Sequence, residues 1–103
     1  MTEVLPKNRV ANIFAKQIIR SATSVGANYR AACRAKSTAD MVAKLAIVEE
    51  ESDETLYWLE LIAESNLLPA DQLRPHWSEM NEILSMTISS IKTLKNKSPR
   101  TRK

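Results

Sequence analysis

Apolar residues recur along almost the whole chain at alternating intervals of three and four, the period of one face of an α-helix. In the first segment the row is Ala11, Ala15, Ile18, Ala22, Val25, Tyr29 and Ala32. In the second it is Met41, Leu45, Val48, Ser52, Thr55, Leu59 and Ile62, widened by Leu56 and Ala63. The third carries Leu73, Trp77, Met80, Leu84, Thr87, Ile91 and Leu94, flanked by Ile83 and Ile88. No stretch shows the strict alternation of a half-buried strand. With a single glycine and four prolines in 103 residues, the chain also lacks the turn residues that an all-β domain would need. The pattern predicts an all-α, up-down antiparallel bundle of three long helices forming one domain over residues 1–95.

Local chemistry sets the expected boundaries. Asn8 can cap the first helix after Pro6, giving a helix over 8–35. Ser37 followed by Asp40 resembles a capping box and opens a second helix over 38–65. Asn66 can take the left-handed conformation that ends helices, and Pro69 lacks the amide to continue one. Pro75 suits the first turn of the third helix if Asp71 caps it, but would kink a helix that starts at Pro69. The preferred reading is a short turn followed by a helix over 71–95, with residues 96–103 as a mobile basic tail.

Composition excludes several classes of chemistry. One Cys and one His rule out a disulfide within the monomer and a Cys/His zinc site, so no metal or cofactor is expected and the cytoplasm is the default compartment. No run approaches the length of a membrane span, so no membrane partner is expected. Carboxylate-bridged di-iron bundles need Glu-x-x-His on two helices. Leu73 stands where that motif would require Glu before His76, and there is no second His. Cys33 and His76 lack any pattern that would make them nucleophile and base, so neither an enzyme nor a small-molecule substrate is expected.

The net charge of +3 hides strong segregation. Residues 7–44 carry eight basic groups against Asp40 alone. Residues 45–82 carry ten acids against Arg74, and residues 83–103 are purely basic. Lys16, Arg20, Arg30 and Arg34 share one helix face, and cations so spaced can contact phosphates. Lys92, Lys95, Lys97, Arg100, Arg102 and Lys103 add a second basic cluster. Both sets are candidates for non-specific RNA or DNA binding. The bland alternative makes them solvated charges, or partners of the acidic second helix. Tyr29 is the one aromatic residue within the span of either set, Lys16 to Arg34 or Lys92 to Lys103, so stacking on bases is not expected.

Other residues point to helix contacts. Alanines and Gly26 would let a second helix backbone approach the first segment closely. Gln17, Ser21, Ser24 and Asn28 follow heptad spacing and suit interhelical hydrogen bonds, within the chain or between subunits. Glu51 and Glu54 share a row with Ile47 and Trp58. A carboxylate facing another helix needs a partner, which Arg20 or Arg30 could supply, and a structural ion pair or subunit contact is favoured over a catalytic pair. Ile47, Trp58 and Leu61 form an extra apolar row that invites a further helix from this chain or another.

The runs SATSVGANYRAACRAKS and KLAIVEEESDETLYWLELIAESNLLP resemble the four-helix-bundle family of bacterial 23S ribosomal RNA intervening-sequence proteins. The similarity extends over roughly residues 5–95. It implies an up-down bundle assembling as a homopentamer, with no established enzymatic activity. A related branch, the accessory variability determinant proteins of diversity-generating retroelements, forms basic pentameric barrels that bind nucleic acid and a reverse transcriptase, which makes a reverse-transcriptase-like protein a second partner class. The family pattern also places a helix ahead of the turn at Leu5, Pro6 and Lys7, where this chain has only Met1 to Val4. Either the true start lies upstream, or a neighbouring subunit covers the seam that this helix would fill.

Overall fold

The computed structural model describes the backbone of residues 4–101 and the side chains of residues 9–96. Three helices follow one another: α1 (Val4–Cys33), α2 (Thr38–Glu64) and α3 (Ala70–Thr101), with no strand among the described residues. Pro6 falls in the first turn of α1, where its missing N–H has no intrahelical partner to lose, so the helix starts ahead of Asn8. Ser37 caps α2 from an extended conformation, its hydroxyl accepting the Asp40 N–H at 3.0 Å. At the other end Asn66 takes a φ of 59°. The Leu67 N–H then returns to the Ile62 carbonyl and that of Asn66 to Ala63, a Schellman closure.

Two boundaries differ from the sequence reading. Helix α3 begins at Ala70, so Pro75 lies inside it rather than in its first turn and cannot donate to the Asp71 carbonyl. The helix also runs beyond Lys95 to Thr101, into the stretch expected to be a tail. No glycine lies between Leu94 and Thr101 to stop it, and Pro99 comes only in its last turn. The side chains of Lys97 and Arg100, and residues Arg102 and Lys103 entirely, are outside the described residues.

Helix α2 is the central element. Both α1 and α3 pack against it, while among the described residues their own Cα atoms nowhere approach within 8 Å of each other. The result is an elongated, open bundle of 67 × 21 × 15 Å. Its radius of gyration is 17.2 Å, against about 13 Å for a compact domain of this length. Because α2 has neighbours on two sides, its apolar row is buried almost completely: Leu45, Val48, Ser52, Thr55, Leu56, Leu59 and Ile62. Leu59, Ile62 and Leu73 form the tightest cluster, with Phe14, Ile18, Leu67 and Trp77 packed against it.

The outer helices are covered on one side only. Val25 and Ala32 of α1 are buried, but Ala15 and Tyr29, from the same expected row, are exposed. Among the described side chains of α3 only Leu73 and Thr87 are buried. A groove therefore opens between α1 and α3 above α2, walled by Gly26 and Tyr29 on one side and Ile83 and Met86 on the other, with Leu45 between them. A Cβ added at Gly26 would meet nothing within 4 Å. The close helix approach expected at that glycine is not made within this chain.

Candidate nucleic-acid interface

The basic row read along α1 divides in two. Arg20 bends over α2, its Nη2 donating to Glu54 Oε2 and its Nη1 to Glu51 Oε1 at 3.4 Å, while Gln17 Oε1 accepts its Nε at 3.2 Å. Glu54 Oε2 also accepts the Trp58 indole N–H at 3.1 Å. The Trp58 ring in turn lies 5.7 Å from Phe14 and 5.2 Å from Tyr57. Arg20 is still half exposed, yet its charge is neutralised by two carboxylates. Of the apolar row that invites a further helix, Trp58 is thus partly covered, and Ile47 and Leu61 remain half-buried.

Lys16, Arg30 and Arg34 stay exposed and form no ion pair among the described residues, as do Lys92 and Lys95 on α3. Arg9, one heptad before Lys16 and so on the same face of α1, and Lys36, in the link after α1, share this state. Lys44 does pair, with Asp40 at 3.7 Å one helical turn away. Of the polar row, Ser21 alone bonds across to α2 among the described residues, while Ser24 and Asn28 bond to each other within α1. Ser21, fully buried, and Thr55 share a hydroxyl hydrogen bond of 2.7 Å, and Asn28 Nδ2 donates to the Ser24 carbonyl at 2.9 Å.

The Trp58 indole N–H, and then the Arg20 guanidinium, hold the Glu54 carboxyl below its ordinary value of 4.5. A lowered folded-state pKa stabilises the fold above 4.5, and that contribution disappears as pH falls through the lower native value. Because both partners are substantially exposed, the effect is small. Glu54→Gln should cost stability at about pH 7 and converge on the parent protein in acid, read as urea midpoints across the pH range. A deficit that persisted unchanged in acid would assign the loss to packing.

Among the described residues no cluster of His, Cys, Asp and Glu could hold a metal ion, and no helix is long and apolar enough to cross a membrane. Cys33 lines a cleft with Met41 and Leu94, whereas His76 lies beside Leu73 and Trp77 near the other end of the bundle. The fold brings no nucleophile and base together there.

The architecture defines an all-helical, open three-helix bundle with segregated charge and an uncovered apolar groove. A family model described as 23S rRNA-intervening sequence protein matches residues 1–89. A crystal structure of a protein of unknown function from the S23 ribosomal protein family of Bacteroides thetaiotaomicron is 37% identical, with a TM-score of 0.73, over 84% of this chain and 91% of that one. The chain belongs to the 23S rRNA-intervening sequence protein family. Comparison with curated proteins finds no match.

Proposed function

We propose that this protein is a non-enzymatic, cytoplasmic assembly unit that joins copies of itself, to a pentamer on the family resemblance, and binds RNA or DNA without sequence preference through its exposed cations. The supporting observation is the set Arg9, Lys16, Arg30, Arg34, Lys36, Lys92 and Lys95, exposed and without ion pairs among the described residues, while Arg20 and Lys44 are paired. Phosphate contacts made by such side chains release counterions, so affinity should fall steeply with salt. Fluorescence anisotropy of a labelled oligonucleotide should detect binding at about 50 mM salt and lose most of it by about 200 mM. No binding at the lower concentration removes the nucleic-acid reading.

A second reading, a protein-interaction module with no nucleic-acid role, is favoured by the apolar groove. Tyr29 and Met86 on its walls are 50% and 60% exposed, and the Gly26 face is open. Ile19 on α1, 65% exposed, adds to the uncovered apolar surface. Such a surface accepts a helix from a sister subunit or from a reverse-transcriptase-like partner. It is the reading left standing if oligonucleotides do not bind.

A further inference from the structure

The up-down topology does something the linear charge pattern does not reveal. Tyr29 and Cys33 of α1, Met41 and Leu45 of α2, and Ser90 and Leu94 of α3 line a single cleft of about 430 Å³. The C-terminal part of α1, the start of α2 and the C-terminal part of α3 therefore lie at the same end of the rod. Arg30, Arg34, Lys36, Lys44, Lys92 and Lys95 all fall in these segments, against Asp40 alone. At the other end, where Ala11 and Asn12 meet Ile62 and Leu67, the cations Arg9, Lys16 and Arg74 are mixed with Glu60, Glu64, Asp71 and Glu79. The later part of the first basic block and the cations of α3, far apart along the chain, make one positive pole of a 67 Å rod.

We infer that this pole, and not the length of α1, is the phosphate-binding surface, and that its ligand is single-stranded nucleic acid. The inference rests on the proposed nucleic-acid function and narrows it. Two observations select a single strand. First, the pole's cations are spread over the end of α1, the link after it, the start of α2 and the C-terminal part of α3, and among the described residues the Cα atoms of α1 and α3 nowhere come within 8 Å across the cleft. A duplex, stiff over about 50 nm, bears on one side of so narrow a rod, whereas a flexible strand can follow cations around it. Second, Tyr29 is half exposed at the cleft, next to Arg30 in sequence, and its hydroxyl has no hydrogen bond among the described residues. Its ring offers a stacking face for an unpaired base that a paired base cannot use. The one aromatic between Lys16 and Arg34 thus lies at the cleft beside the pole's cations.

The test uses the full chain and labelled oligouridylate, with a duplex of equal length beside it, at about 50 mM salt. Wild type should bind the single strand more tightly than the duplex. Arg30→Glu with Arg34→Glu should weaken single-strand binding more than about tenfold, whereas Arg9→Glu with Lys16→Glu, the same charge change at the mixed end, should weaken it only a few-fold. Tyr29→Ala should cost roughly tenfold and Tyr29→Phe should restore binding, because the ring and not the hydroxyl does the stacking. All these positions are exposed, and circular dichroism confirms that the variants are folded. Equal loss from the two charge reversals, with wild type still binding, overturns the polar site and leaves the broader function intact. Duplex binding as tight as single-strand binding, or an inert Tyr29→Ala, overturns the single-strand assignment. No binding by wild type overturns the proposed function as well.

Discussion

Replacing Leu59 with alanine should lower the free energy of unfolding by about 3 kcal/mol, within the range of about 2–5 kcal/mol found when a buried leucine is truncated. Leu59 is buried beside Ile62 and Leu73, and Phe14, Ile18, Leu67 and Trp77 pack against the same cluster. It is the place where α1, the α2–α3 turn and α3 all converge on α2, so the cavity left by truncation is walled by three helices that cannot all close on it. A domain of this size holds only about 5–15 kcal/mol in total. The loss should therefore show as a fall in Tm of more than about 10 °C. Met86→Ala is the matched comparison, since Met86 is largely exposed on the groove wall and its truncation should stay within about 0.5 kcal/mol. Equal costs at the two positions would mean that the Leu59 cluster is not the anchor of the fold.

The contrast between those two residues also explains what the sequence could disclose. The apolar row of α2 is legible almost residue by residue, because α2 lies between two neighbours and periodicity then coincides with burial. Ser37 and Asn66 are legible because a cap and a left-handed turn depend on local backbone chemistry alone. On α1 the same reading places Ala15 and Tyr29 in the core, and both are exposed. A three-four row records which face is apolar, not whether something in the same chain covers it. Arg20 shows the converse. The sequence leaves Arg20 and Arg30 as equal candidates to meet Glu51 and Glu54, and only the pairing of α1 with α2, across 31 and 34 residues of chain, sets those carboxylates beneath Arg20. The positive pole is hidden for the same reason, since it exists only once α3 returns alongside α1.

Two buried hydroxyls on α2, three residues apart, should respond to removal with opposite signs. Thr55 is partnered on both sides: its hydroxyl donates to the Glu51 carbonyl at 2.8 Å and lies 2.7 Å from Ser21 Oγ. Thr55→Val keeps the shape but leaves buried Ser21 with only the Ile18 carbonyl at 3.3 Å, and should destabilise by about 1–2 kcal/mol. Ser52 is fully buried and its Oγ has no partner among the described residues. Such a group carries a desolvation cost of about 1–3 kcal/mol with nothing to offset it, so Ser52→Ala should stabilise the protein by about 1 kcal/mol. Part of any gain would come from helix propensity, about 0.5 kcal/mol for alanine over serine, and Ser85→Ala on the exposed side of α3 measures that part separately. Urea denaturation of the three variants decides the matter. If Ser52→Ala gains no more than Ser85→Ala, the Ser52 hydroxyl is satisfied in solution, and the seam between α1, α2 and α3 is wet at its centre rather than dry.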